Sequence, residues 1–291
     1  MVVILEERVA SGIYGLDEII GGGFRERSIN IINGGIGVGK TTFGLQFALC
    51  GLNRGKKVVF ISFEMSEDQI LRDCKQLGFD EIEEHLSAGN LRIVHIYGED
   101  LMFPSLDILE IIRESHTDVD HQLIIIDPLT HYSMYLEDDK RKSISSIFMN
   151  LREMGTTVIT IEGSNGKEEV NQSSIMPLYL ADSVLYLDYL GFGELFDRTI
   201  HVVKHRGSKH GEGLYPYRIE SGLGIVVISS ESDIDKVTAN YEFDKEFITA
   251  IQQAGNIDQR LAKRIELLRH NWSHNESPEY ILNLVMNDEN R

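Results

Sequence analysis

The sequence predicts an α/β fold: a mostly parallel central sheet with helical crossovers, an antiparallel extension and a small helical appendage at the carboxyl end. Three observations lead there. A glycine-rich loop, Gly34-Gly35-Ile36-Gly37-Val38-Gly39-Lys40-Thr41, directly follows the apolar run Ile29-Asn30-Ile31-Ile32. Apolar runs then alternate with helical patterns through most of the chain, as parallel strands joined by crossovers do. Late in the chain, three strand-like runs follow one another with short connections, which suits antiparallel pairing.

The first strand, 28–32, ends where the glycines begin, and segment 43–52 beyond the loop reads as an amphipathic helix. Phosphate chemistry needs that order. Glycines let backbone N–H groups turn inward around phosphate oxygens, and the following helix presents its positive end. In such a loop the Lys40 ammonium reaches the β- and γ-phosphates and the Thr41 hydroxyl sits on Mg²⁺, while Gly37, Val38, Gly39 and Thr42 complete the cradle. A nucleoside triphosphate with Mg²⁺ is the expected ligand.

Residues 58–63 form a continuous apolar run, as in a strand covered on both faces. A helical pattern follows at 68–77, then strands at 91–97, 123–127, 157–161 and 183–187, with helical patterns at 108–115 and 141–154. The closely spaced runs 199–204, 215–219 and 224–228 supply the antiparallel extension. Residues 229–233 are polar and read as a linker, which divides the chain into a nucleotide-binding domain, 1–229, and a helical appendage, 230–291. In the appendage Phe243, Phe247, Ile248 and Ile251 make one apolar stripe, and Ile257, Leu261, Ile265, Leu268 and Trp272 a longer one. Ser277-Pro278-Glu279 opens a third helix with proline at its first position. A segment this small falls short of an independent core, so it is expected to pack on the larger domain or on a protein partner.

Composition narrows the function. A net charge of −18 argues against nucleic acid as the partner, because that affinity rests on Lys and Arg neutralising phosphates. Cys50 and Cys74 are isolated thiols, as in a reducing cytoplasm. The apolar runs are too short to span a bilayer, and the start of the chain, with Glu6, Glu7 and Arg8, has no signal-peptide core. A cytoplasmic protein without a membrane partner is expected. The histidines show no zinc-site spacing.

Two carboxylates and one basic cluster carry the candidate chemistry. Asp127 closes the apolar run Leu123-Ile124-Ile125-Ile126. Ligands of open parallel sheets bind outside the carboxyl ends of the strands, so Asp127 would hold Mg²⁺ together with Thr41. Glu64 ends the run 58–63, where a carboxylate would orient and deprotonate an attacking water; the alternative is a charge favouring the start of the next helix. Lys204-His205-Arg206-Gly207-Ser208-Lys209-His210 ends a late strand. Lys204 and Arg206 are two residues apart and share a strand face, and such cations can neutralise charge developing on a γ-phosphate. Spacing does not say whose phosphate they meet.

Ser11-Gly12-Ile13-Tyr14-Gly15-Leu16-Asp17 followed by Gly21-Gly22-Gly23 resembles the start of the KaiC-type ATPases of the RecA superfamily. The spacing through Ser62-Phe63-Glu64, Ile126-Asp127-Pro128, Ala181-Asp182 and 204–210 to Tyr215-Pro216 is similar too, over roughly 9–228. The resemblance implies a RecA-like P-loop core, ATP and Mg²⁺ as ligands, and a homo-oligomer, usually a hexameric ring, with ATP between neighbours. It also implies that Lys204, Arg206, Ser208 and His210 act on the neighbour's nucleotide, while Glu220 and Ser221, joined by Gln76, line base and ribose.

Two departures qualify the resemblance. KaiC domains usually carry two adjacent glutamates where this chain has Glu64-Met65, and Phe63-Glu64-Met65-Ser66 resembles instead the single-glutamate pattern of ring-shaped replicative helicases. One base suffices geometrically, so hydrolysis is expected. The clock protein's self-phosphorylated Ser-Thr pair falls at Leu178 and Tyr179, so clock-type autokinase activity is not expected. Residues 163–177, where the superfamily places a channel-facing loop, hold Lys167 beside Glu168 and Glu169 and no aromatic to stack a base, and read as a flexible loop. Residues 191–195 read as a hairpin turn. The leading expectation is a ring-forming regulatory ATPase acting through nucleotide-dependent protein interactions. The alternatives are a DNA recombination accessory ATPase of the RecA kind and a non-hydrolysing nucleotide sensor.

Overall fold

A computed structural model describes residues 7–97, 108–115, 122–134, 140–163, 172–189 and 198–228. Near the start, β1 (Arg8–Val9) and β2 (Phe24–Arg25) pair as a short antiparallel ribbon around α1 (Leu16–Ile19). The central sheet is formed, in chain order, by β3 (Ile29–Gly34), β4 (Val58–Ser62), β5 (Leu91–His95), β6 (Gln122–Asp127), β7 (Gly155–Glu162), β8 (Ser183–Tyr189), β9 (Arg198–His205), β10 (Leu214–Glu220) and β11 (Gly224–Val227). Its spatial order is β11-β10-β9-β8-β3-β7-β6-β4-β5. From β8 to β5 the pairing is parallel, and β9, β10 and β11 continue it antiparallel.

The interior strands look uniformly apolar in sequence, yet the period of two survives in their packing. Val58, Phe60, Leu123, Ile125 and Val158 join the core beneath α2 (Lys40–Asn53). Val59, Ile61, Ile124, Ile126 and Ile159 join the opposite core, built with α5 (Ile108–Ser115) and α7 (Lys140–Met154). The predicted amphipathicity of 43–52 does not hold, because every residue from Phe43 to Leu52 is buried. The outer side of α2 is covered by residues near 12 and by β11. Gln46 fastens them: its amide donates to the carbonyls of Gly12, Leu223 and Ile225 and accepts from the Ile225 N–H.

The Ser11–Asp17 motif has a structural account. Asp17 accepts from the Ser11 N–H at 3.0 Å, and the Ser11 hydroxyl accepts from the Ile13 N–H at 3.1 Å, closing a tight turn that seats Ile13 and Leu16 in the core. Ala181-Asp182 is likewise a fastening: the Asp182 carboxylate accepts from the Ile29 N–H and from Arg152, joining β8, β3 and α7.

The remaining helices are α3 (Glu67–Gln76), α4 (Glu81–Ser87), α6 (Leu129–Met134) and α8 (Gln172–Leu180). Ser66 and Gln69 form a reciprocal capping box at the start of α3. Residues 172–177, expected in a flexible loop, lie instead in α8, with Pro177 inside it; residues 164–171 of that stretch lie outside the described residues, as do the linker, the appendage 230–291 and the turn at 191–195. No helix among the described residues is long and apolar enough to cross a membrane.

Candidate functional site

The loop between β3 and α2 opens on a pocket of about 320 Å³ at the carboxyl ends of the parallel strands, lined by Gly37, Gly39, Lys40, Thr41, Thr42, Glu64, Asp127, Glu162 and Ile219 among others. Gly39 has φ 98, and a Cβ there would lie 2.7 Å from Ile219 Cδ1, so only glycine fits between the loop and β10. Val38 is buried beneath the loop, its carbonyl accepting from the Tyr217 hydroxyl. The Lys40 ammonium donates to the carbonyls of Gly34 at 3.0 Å and Gly35 at 2.7 Å, within reach of anything the loop holds.

Strand parity sets the pocket floor. Residues 58, 60, 123, 125 and 158 face α2, so the same faces continue to Ser62 and Glu64, to Asp127, and to Thr160 and Glu162. Three neighbouring strands, β4, β6 and β7, thereby each deliver a carboxylate toward the pocket. Asp127 is 3% exposed. Its carboxylate accepts from the Thr41 hydroxyl at 2.8 Å and from the Thr160 hydroxyl. Burial pushes the Asp127 carboxyl above its ordinary value, opposed by those two hydrogen bonds and by Lys40, while Glu162 adds to the rise. A buried, all-oxygen set of this kind suits a hard divalent cation, and Thr41 with Asp127 would hold Mg²⁺.

Glu64 is more open. His131 Nε2 lies 3.6 Å from its carboxylate, with both side chains more than a third exposed. Partial burial raises the Glu64 carboxyl, His131 and Lys40 lower it, and Glu162 and Asp127 raise it.

Gln76, Glu220 and Ser221 come together where the β10–β11 turn meets the end of α3, outside the residues that line this pocket. The Ser221 hydroxyl donates to the Gln76 carbonyl at 3.2 Å, and the Gly222 N–H to Leu77 O at 2.7 Å, so the β10–β11 turn is tied to the end of α3. Burial raises the Glu220 carboxyl, with Arg218 opposing. Ile219 connects this group to the phosphate loop.

Lys204, Arg206, Ser208 and His210 are elsewhere. β9 runs antiparallel to β8, and β8 parallel to β3, so the end of β9 sits beside Ser183 and Val184 at the amino ends of the parallel strands. The chain's own phosphate loop is a full strand length away, about 17 Å for six residues. Lys204 donates to the carbonyls of Leu178 and Tyr179 at the end of α8, and Arg206 to Tyr179 at 3.4 Å. Arg206 also lies 4.0 Å from Asp182, where Arg152 makes the closer ion pair. Burial and the neighbouring Arg206 lower the Lys204 pKa. Ser208 Oγ stands 2.5 Å from the place a Cβ would take on Gly21, so a side chain there would crowd this loop.

Sequence reasoning missed Thr160, Glu162, His131 and Ile219. Thr160 and Glu162 carried a signal, alternating with Ile159 and Ile161 on one strand. His131 and Ile219 carried none, since His131 reaches Glu64, and Ile219 the pocket, through tertiary contacts alone.

A parallel sheet with its glycine loop between β3 and the buried α2, and acidic side chains at neighbouring strand ends, defines a P-loop nucleotide-binding core of the RecA kind. Residues 9–232 match the family model described as the KaiC ATPase. The chain is 30% identical over 230 residues to circadian clock protein KaiC2 of Synechocystis, covering 76% of this chain and 40% of that one. It is 31% identical over 232 residues to the circadian clock oscillator protein KaiC of Thermostichus vulcanus, covering 75% and 42%. Among solved structures, a KaiC-like protein of Pyrococcus horikoshii superposes with a TM-score of 0.64 at 28% identity, covering 77% of this chain and 99% of the other. The chain belongs to the KaiC family of ATPases. It spans about two-fifths of the length of the two clock relatives.

Proposed function

We propose that this protein binds and hydrolyses ATP at sites completed between neighbouring subunits of a ring, and that the nucleotide state controls its association with another protein. The observation that supports this reading is the separation of the candidate groups along the sheet: Lys40, Thr41, Asp127 and Glu64 at the carboxyl ends of the parallel strands, Lys204 and Arg206 at the amino ends. Acting on one γ-phosphate, the two sets must belong to different copies. Ser208 and His210 accompany the cations, while Gln76, Glu220 and Ser221 line base and ribose. The family match ends at 232, so most of 230–291 lies beyond it and is free to serve as the reader of the ring's state. A cytoplasmic location fits this role.

In the reaction, the phosphate loop and Lys40 hold the β- and γ-phosphates in place. Thr41 and Asp127 would hold Mg²⁺, which would supply positive charge to offset that of the phosphates. Glu64 takes a proton from a water whose oxygen bonds to the γ-phosphorus, and the bond from that phosphorus to the bridging oxygen breaks, releasing ADP and phosphate. Lys204 and Arg206 of the neighbouring copy neutralise charge on the transferring group. Light scattering with and without Mg-ATP, run beside an ATPase assay, tests the reading: ATP-dependent assembly with turnover supports it, and a strictly monomeric chain in saturating Mg-ATP refutes it.

Glu64→Gln is expected to leave ATP affinity nearly intact and slow turnover about 10²-fold or more, as loss of a general base does. Turnover within a factor of two of the parent protein would reduce Glu64 to a charge at the start of α3. Single-stranded DNA binding is expected to be weak and absent by about 200 mM salt, since few phosphates would be neutralised. Nanomolar binding at that ionic strength, by fluorescence anisotropy, would favour a recombination role instead.

A further inference from the structure

Two ionisable groups lie beside Glu64: Glu162, which lines the pocket, and His131, which stands behind Glu64. Glu162 ends β7, and His131 lies in α6, directly after the strand that delivers Asp127. The Glu162 N–H donates to the Thr130 hydroxyl at 2.9 Å, which pins α6 to the end of β7 and brings His131 to the gap between β7 and Glu64. One side-chain atom each from Glu64, His131 and Glu162 lie within 4.8 Å of one another. Glu64 therefore has a histidine and a second carboxylate beside it, contributed by two different elements.

We infer that His131 and Glu162 are positioning residues for Glu64. His131 favours the ionised carboxylate and directs it at the pocket, and Glu162 opposes it, so their balance sets how readily Glu64 accepts the proton of the attacking water. The inference rests on Glu64 being the base. The other charged groups facing Glu64 are Asp127, from β6, and Lys40, from α2. They act on Glu64 in every variant of the pair, so differences between those variants isolate His131 and Glu162.

The two partners act with opposite sign. Burial, Glu162 and Asp127 raise the Glu64 carboxyl, while His131 and Lys40 lower it. A base works only when deprotonated, so turnover falls as pH drops through the Glu64 pKa. His131→Ala removes a group that lowers the Glu64 carboxyl, and Glu162→Gln removes one that raises it. His131→Ala should therefore move the acid limb of the kcat profile to higher pH, and Glu162→Gln should move it to lower pH. For partly exposed groups each displacement should be about 0.5–1 pH unit. His131→Lys, which supplies a fixed positive charge, should restore the parent profile, and KM for Mg-ATP should stay within about twofold in the His131 variants, because His131 is not among the residues lining the pocket.

The same pairing is readable without turnover. With glutamate carboxyls labelled by carbon-13, the resonance lost in Glu64→Gln is that of Glu64, and its titration in the ligand-free chain should move up in His131→Ala and down in Glu162→Gln. Titrations that stay put in both variants, or move in the same direction, would overturn the proposal. Undiminished turnover in Glu64→Gln is a separate failure: it would remove the base, and with it any catalytic consequence of the pair, even where the titrations show the pairing itself.

Discussion

Arg206→Ala is expected to lose about 10³-fold or more in turnover, the scale on which arginine fingers act, while each subunit still binds Mg-ATP. The reasoning is geometric. Arg206 stands at the amino ends of the parallel strands, beside α8 and Asp182, and the glycine loop proposed to hold phosphate stands at their carboxyl ends. An Arg206→Ala subunit keeps its own Lys40, Thr41, Asp127 and Glu64. A Lys40→Ala subunit keeps its Arg206. Mixed in one ring, the two inactive proteins create some interfaces where a sound phosphate loop faces a sound cation pair, so activity should reappear on mixing, provided that subunits exchange. A cation acting within its own chain predicts no recovery at any ratio. Assembly should also rise with nucleotide, because a ligand bound between subunits stabilises the associated state by mass action. Unchanged turnover in Arg206→Ala would sink the shared-site mechanism and leave only a nucleotide-binding domain.

Lys40→Ala is expected to abolish nucleotide binding. Its ammonium lies at the mouth of the loop, and the pocket walls otherwise present the carboxylates of Glu64, Asp127 and Glu162. Without Lys40, a polyanion would enter a pocket lined mainly by negative charge. The same ammonium donates to the Gly34 and Gly35 carbonyls, so the loop itself could loosen. Calorimetric titration with Mg-ATP, read beside the thermal melt of the ligand-free protein, separates these effects. Binding lost with an unchanged melt is the expected result, and retained micromolar affinity would defeat the phosphate-loop assignment.

How much of this was legible in the sequence depends on how local each signal was. The phosphate loop and Asp127 could be read because glycine, lysine and a strand-end carboxylate are contiguous with the apolar runs that place them. The antiparallel edge was legible from short connections. The helix α8 was not: Pro177 removes a backbone donor and argues for a break, yet packing against α7 carries the helix to Leu180, and the Ala181 N–H closes on the Pro177 carbonyl. The surroundings of α2 were misread because a helix covered on both sides loses the polar face that periodicity looks for. His131 and Ile219 were invisible for a different reason. Their neighbours in the pocket are far away in sequence, and neither lies in a motif with a chemical signature of its own.

The β10–β11 hairpin has a mechanical consequence. Tyr217 hydrogen-bonds the carbonyl of Val38, and Ile219 wedges against Gly39, so one strand is gripped by the phosphate loop at two successive points on the same face. Its partner strand ends at Val227, and the Ile228 N–H is bonded to the carbonyl of Pro216 on that gripped strand. The hairpin thus joins the glycine loop to residue 228 through continuous hydrogen-bonded β-structure rather than slack chain.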